Sequence, residues 1–537
     1  RVEVLSDGCV NCGPWLRAQR ELERARRAIA ATLRAGMTDE RAAALAVALL
    51  TGSRGGLEFA DRDTIRKAGL AHILAISGLH LSLVAGGVFW LVRAVLALSP
   101  FAALRWPLRR IAAGAAFAAG AGYLALSGNS VATQRAFVML CVVVLAVLLA
   151  RPAISMRNLA LAALVILLLS PHEVVNAGFQ MSFLAVLGLI AAYEAMRWRR
   201  RNVERPPPGV TRRVALYVGG LVLSTLIASA MTALPVAAHF QRLAPWGVLG
   251  NLVALPVLAF VVMPAGLLAL LFMPLGLAAP FLWPLEHGLR LIFEFSGRVA
   301  ALPGAERLVM KPAGVAVGLM AAGLIWLALR RDGWRLAGLG LIGIGLLWPP
   351  APRFDVLADG RADVVAVGDE HGRLAATPGR RGAFALGQWL RHDADAASPR
   401  AARARGGWRC GGGVCRFASG RGEVVALSRN LEKKLVEKGY DNSWMKRKLN
   451  AACKDAAVVV AAFPLRGACA SARVVIDRFD LWRDGAHGVR FEADGISVET
   501  ARGGQGARPW ALPPLPRSRV LKRKPPAANM SPPAARP

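Results

Sequence analysis

Residues 70–98 read Leu-Ala-His-Ile-Leu-Ala-Ile-Ser-Gly-Leu-His-Leu-Ser-Leu-Val-Ala-Gly-Gly-Val-Phe-Trp-Leu-Val-Arg-Ala-Val-Leu-Ala-Leu. At about 1.5 Å per residue, a helix over this apolar run crosses a hydrocarbon core of roughly 30 Å, so the run is expected to be a membrane helix. Its first half is unusual, because His72, Ser77, Gly78 and His80 fall within nine positions. A polar group facing lipid is costly, so these four are expected to face protein or a water-filled cavity. Ser77-Gly78 also weakens the helix, glycine costing roughly 1 kcal/mol against alanine. A bent or broken segment there exposes backbone N–H and C=O groups to whatever passes. Small and polar residues also hold helices together, and the stretch alone leaves both roles open.

The surrounding chain fits a membrane setting. Of 537 residues, 55% are hydrophobic and only 19% charged, which excludes a soluble protein of this length. Lys and Arg number 67 against 34 Asp and Glu, a formal net charge of +33. Part of that excess is expected to hold loops on the cytoplasmic side, and the rest suits an anionic partner such as phospholipid or nucleic acid. The chain opens at Arg1 with no signal peptide ahead of it and reads as a fragment of a longer protein.

Apolar runs predict helices near 70–98, 111–127, 133–150, 157–170, 178–196 and 214–236. Arg105, Arg109 and Arg110 follow the first, Arg151 and Arg157 the third, and a group from Arg197 through Arg205 to Arg213 the fifth. The intervening loops carry only Arg135, then Glu173, then Arg242. By the positive-inside rule the basic loops are cytoplasmic and residues 1–69 lie outside as an extracytoplasmic segment. That segment has amphipathic or alanine-rich helices over 16–36 and 39–51 and a short charged helix from Glu58 to Lys67. Its Cys9-Val10-Asn11-Cys12 pair has no further ligands for zinc, leaving a local disulfide or two free thiols.

Pro256 and Pro264 interrupt residues 246–275, predicting a kinked helix or a re-entrant pair of half-helices. Residues 280–302, with Glu286, His287, Arg290, Glu294 and Arg298, suit an interfacial amphipathic helix. Spans over 313–329 and 336–348 complete a membrane domain over 70–350. From 351 to 511, short apolar runs between Gly-rich turns predict a soluble β-rich domain on the extracytoplasmic side. The fold class is therefore a polytopic α-helical membrane protein with a C-terminal β-rich (α+β) soluble domain. Cys410, Cys415, Cys453 and Cys469 favour disulfides, with three pairings open. Residues 512–537, rich in Pro, Arg and Lys, read as a disordered tail.

His72-Ile73-Leu74-Ala75-Ile76-Ser77-Gly78-Leu79-His80 resembles the signature of the ComEC family of competence proteins. Leu49-Leu50-Thr51-Gly52, Ser127-Gly128, Thr133-Gln134-Arg135-Ala136-Phe137, Gly178-Phe179-Gln180-Met181-Ser182-Phe183 and His239-Phe240 reinforce the resemblance. It implies a multi-pass channel in the bacterial inner membrane that passes single-stranded DNA into the cytoplasm during natural transformation. The path residues implied are His72, Ser77, Gly78, His80, Gln134, Arg135, Gln180 and Ser182. Gln134 and Arg135 lie at an outer helix end where a cation meets phosphate, and on a regular helix His72 and His80 sit about 80° apart. No GxxxxGK[ST] loop is present, so the implied partners, besides DNA and membrane lipid, are a DNA-delivery protein outside and a cytoplasmic ATPase.

Many members of that family end in a metallo-β-lactamase-like domain. Here the C-terminal histidines, His371, His392 and His487, are far apart and form no HxHxDH motif. A degenerate domain without metal, cofactor or nuclease activity is expected. Two other classes remain. A small-solute transporter predicts inverted repeats, which the sequence does not display clearly; a hydrolase with Ser77 as nucleophile and His80 as base needs an oxyanion hole that this motif does not supply. On the channel reading, Ser77→Leu or Arg135→Glu stops labelled DNA from reaching the cytoplasm while membrane levels of the protein stay normal.

Overall fold

The first spanning helix begins at Gly78, not at Leu70. The chain reaches it from a short helix that ends in a left-handed Gly69 (φ +76°), where the Gly69 N–H donates to the Arg66 carbonyl at 2.9 Å and the Leu70 N–H to the Ile65 carbonyl at 3.0 Å. Residues 70–74 then turn without becoming helical. The polar positions 72–80 are the reason: a helix broken there leaves its free backbone groups to protein or water, not lipid. The computed structural model describes residues 13–74, 76–200, 209–437 and 442–505. Cys9 and Cys12, Arg201 and Arg205 of the basic loop, and the tail 512–537 lie outside the described residues.

The chain forms two units, divided between Pro350 and Ala351. The first holds helices α1 (Pro14–Gly36), α2 (Glu40–Thr51), α3 (Phe59–Lys67), α4 (Gly78–Ala97), α5 (Pro100–Arg105), α6 (Leu108–Leu126), α7 (Val131–Leu148) and α8 (Met156–Leu169). It continues with α9 (Ala177–Arg200), α10 (Val210–Phe240), strand β1 (Arg242–Leu243), α11 (Gly247–Val257), α12 (Met263–Phe272), α13 (Ala279–Ala300), strand β2 (Arg307–Leu308), α14 (Gly314–Leu329) and α15 (Ala337–Leu347). Side-chain caps mark several starts: Asp39 accepts from the Arg41 and Ala42 N–H groups, Ser130 from Thr133 and Ser155 from Asn158. Among the described residues, five stretches are long and apolar enough to cross a membrane: 78–97, 131–148, 177–197, 210–240 and 247–275. The protein is a multi-pass helical membrane protein.

The stretch 247–275 settles how its prolines are used. It is one continuous run in which α11 and α12 are joined by a π-helical turn, Leu258–Val262. Pro264 has no N–H and its ring crowds the carbonyl four residues back, so the turn before it widens and the helix goes on.

The boundary expected at residue 69 does not divide the structure. Every residue of α2 from Ala42 to Thr51 is buried, in the same core as Leu81 and Val84 of α4, Ala254 of α11, Met263 of α12 and Leu285, Leu289 and Ile292 of α13. Helix α13 has the amphipathic face expected of it, but that face is turned into protein. Its Glu286 accepts from the Thr38 hydroxyl at 2.6 Å and from the Asp39 N–H at 2.9 Å, fastening the α1–α2 turn.

The second unit is two five-stranded sheets face to face. One is ordered β12-β11-β3-β4-β5, from β3 (Val356–Ala358), β4 (Val365–Gly368), β5 (Leu374–Ala376), β11 (His487–Glu492) and β12 (Gly495–Thr500). The other is β10-β9-β8-β7-β6, from β6 (Trp408–Gly411), β7 (Val414–Ser419), β8 (Gly422–Leu427), β9 (Ala456–Ala461) and β10 (Val474–Ile476). Val356, Val365 and Val489 of the first meet Phe417, Val424 and Val458 of the second between the sheets. Helices α16 (Ala383–His392) and α17 (Pro399–Ala404) cover the outer face of the first sheet, and α18 (Arg429–Glu437) and α19 (Asn442–Ala452) that of the second. A last short helix, α20 (Arg478–Asp484), precedes β11. Strands covered on both faces have no polar side, which is why Val424–Leu427 and Val458–Ala461 are unbroken apolar runs. Of the three open pairings, the disulfides are Cys410–Cys415 and Cys453–Cys469.

Gly52 is where α2 meets α6. It is left-handed (φ +78°), and a Cβ there would lie 2.2 Å from the Ser127 carbonyl oxygen. Beside it the Tyr123 hydroxyl donates to the Leu49 carbonyl at 2.8 Å. Gly52→Ala is expected to destabilise the membrane unit by about 2–4 kcal/mol through strain and overlap, read as a lowered melting temperature in detergent by fluorescence-detected size exclusion.

Candidate functional site

Helices that alternate in direction bring distant sequence to one end of a bundle. The C-terminal ends of α2, α6, α8 and α10 meet the N-terminal ends of α4, α7, α9 and α11 in this way. A Cβ on Gly78 would touch Ala136, so the start of α4 lies against α7. Gly178 at the start of α9 lies against the Arg135 guanidinium. Gln180 of α9 meets His239 at the end of α10, Oε1 to Nε2, at 3.0 Å. Gly69 lies against Gly247 at the start of α11. All eight residues expected along a path are at this end.

Ser77 and His80 form a reciprocal cap. The Ser77 N–H donates to His80 Nδ1 at 3.3 Å, and the Ser77 hydroxyl lies 3.1 Å from the same nitrogen. Nδ1 therefore accepts, which puts the neutral ring's proton on Nε2. His80 is fully buried and its Nε2 has no hydrogen-bond partner among the described residues. A buried donor left without a partner costs about 1–3 kcal/mol. The Arg135 Nε and the Asn251 Oδ1, on α7 and α11, are likewise buried without partners among the described residues.

His72 belongs to a turn, so the 80° relation to His80 on one helix does not hold. Its side chain is exposed.

Arg135 is not the exposed cation the sequence suggested. It is 8% exposed and is paired to Glu173 at 2.8 Å. Glu173 also accepts from the Asn176 amide at 3.3 Å, and Asn176 in turn accepts from the Gly178 N–H at 2.8 Å. Arg135→Glu therefore sets two carboxylates against each other in the interior and removes the folded protein, not only its function. Gln134 is exposed and turned back on the preceding loop, donating to the Asn129 carbonyl at 3.1 Å. Ser182 is half-buried, and two residues from Gln180 on a helix is about 200°, so these two face opposite ways.

Glu173, Asn176, His239 and Asn251 were not singled out as site residues. For Glu173 a signal existed: it is the acidic residue in an apolar stretch that otherwise offers Arg135 no counter-charge. Among the described residues, no group of three or more His, Cys, Asp or Glu is arranged to hold a metal ion.

The family described as Competence protein matches residues 49–334, which contains every residue of this end. A relative from Bacillus subtilis (strain 168), ComE operon protein 3, is 26% identical over 226 residues, 40% of this chain and 25% of that protein. Competence protein ComA of Neisseria gonorrhoeae is 38% identical over 149 residues, 27% of this chain and 20% of that protein. The chain thus spans a quarter or less of the length of these relatives. No solved structure matches.

Breaking the buried pair from one side leaves a bare charge. Arg135→Met is expected to destabilise by about 3–5 kcal/mol, and Arg135→Met/Glu173→Leu to recover most of the loss, both measured by thermal denaturation in detergent.

Proposed function

The chain belongs to the competence protein family, and from that premise we propose that it passes single-stranded DNA across the bacterial inner membrane during natural transformation. The observation that carries this reading is the broken start of α4. Non-helical backbone at 70–74 and 76–77 stands beside an exposed His72 and a buried N–H on His80 with no partner among the described residues. Neutral donors and backbone groups hold phosphate loosely. A conducting site must bind well enough to admit a strand and weakly enough to release it. With Arg135 neutralised by Glu173, the path is kept from becoming a trap for a polyanion.

On this reading the basic loops are cytoplasmic, this end of the bundle faces outward, and the second unit is extracytoplasmic and a degenerate metallo-β-lactamase-like domain. The chain is a channel and not an enzyme. It takes no cofactor, and a delivery protein outside and an ATPase in the cytoplasm supply the strand and the work.

One observation favours a second reading. Ser77 and His80 are within hydrogen-bond reach, as a serine nucleophile and its base are. Against it, Nδ1 already accepts from the Ser77 N–H, and among the described residues nothing orients the far side of the ring.

The test is passage of labelled DNA into the cytoplasm, with membrane levels followed by blot. His80→Phe, which removes the donor, is expected to reduce passage at least tenfold, while His80→Gln, which keeps one, restores part of it. Unchanged passage in the deletion strain overturns the channel, and covalent labelling of Ser77 by a fluorophosphonate moves the reading to a hydrolase.

A further inference from the structure

Helix α19 has two unlike sides. Trp444, Met445 and Leu449 pack into the core over the second sheet of the C-terminal unit. Lys446, Arg447 and Lys448 between them are exposed. Three consecutive positions cover about 200° of a helix, so these cations form a broad convex face, not a stripe. Lys448 lies over the Trp444 ring at 4.8 Å, and among the described residues none of the three forms an ion pair.

The sheet extends that face. Trp408 of β6 faces the core between the sheets, so the next residue, Arg409, projects to the side covered by α19. It is exposed and pairs in register with Arg416. Arg416 is committed: it donates to the Ala452 carbonyl at the end of α19 at 2.8 Å and pairs with Glu423 at 2.7 Å. Beyond the helix, Lys454 is exposed as well.

We infer that Lys446, Arg447, Lys448 and the neighbouring Arg409 form a sequence-independent docking surface for the phosphate backbone of DNA, separate from the membrane path. The choice of partner rests on the DNA-uptake reading and on one structural fact. A helix that inserts into a bilayer needs an apolar face to bury in it, and that of α19 is already used inside the domain. What remains is charge alone, which is the usual means of holding nucleic acid without reading its sequence.

The experiment uses the full chain in nanodiscs of zwitterionic lipid and a fluorescein-labelled 20-nucleotide oligo(dT), with affinity measured across salt concentrations. Lys446→Ala/Arg447→Ala/Lys448→Ala is expected to make the slope of log affinity against log salt shallower by about 2, at roughly 0.7 per lost contact to a single strand. Arg380→Ala/Arg381→Ala/Arg400→Ala, an equal loss of charge beside α16 and α17, leaves the slope in place. An unchanged slope in the first variant, or an equal fall in both, overturns the proposal. So does a defect seen only when phosphatidylglycerol vesicles replace the oligonucleotide, which assigns the face to lipid headgroups. Failure here is distinct from failure of the channel: a protein that docks DNA on α19 and passes none breaks only the channel reading.

Discussion

A chain that leaves the helix at membrane depth must hide its backbone in protein or in water, because lipid satisfies neither N–H nor C=O. Residues 70–74 and 76–77 impose that requirement on the membrane unit, and much of its packing answers to it. Helix α2 fills the core beneath them, with Leu45, Leu49 and Leu50 fully enclosed. Gly69 gives up its side chain so that the start of α11 reaches the break, and Gly52 does the same for the end of α6. These two glycines supply both a left-handed backbone and the volume a neighbour needs.

Electrostatics at this end follows the same economy. A buried arginine is tolerated when a carboxylate meets it, and Arg135 with Glu173 is such a pair. Asn176 then ties that carboxylate to the start of α9. One interaction thus sets the positions of α7, the turn at 171–175 and α9 together. Besides the Arg135 Nε, the groups left without partners among the described residues at this end, on His80 and Asn251, are uncharged.

The sequence disclosed most where the cause is local. Hydropathy placed the spanning helices to within a few residues at 131–148, 177–197 and 210–240. Gly-rich turns between valine runs announced the sheets, and four cysteines in one segment announced the disulfides but not their partners. It disclosed least where the cause is a distant residue. The start of α4 depends on what Gly69 and Ser77 touch, so apolar character alone carried the helix back to Leu70. Arg135 looked exposed because its partner lies 38 positions away. Helix α2 looked peripheral because an alanine-rich helix has the same composition on a surface as in a core.

The hydrogen bonds from Thr38 and Asp39 to Glu286 join residues 247 and 248 positions apart. A ribosome releases Glu286 long after α2, and until then the pocket that receives α2 has no far wall. This helix, too short to span a bilayer by itself, has to wait beside half-inserted neighbours for α13. Closure of the bundle is therefore set by long-range contacts, which form slowly.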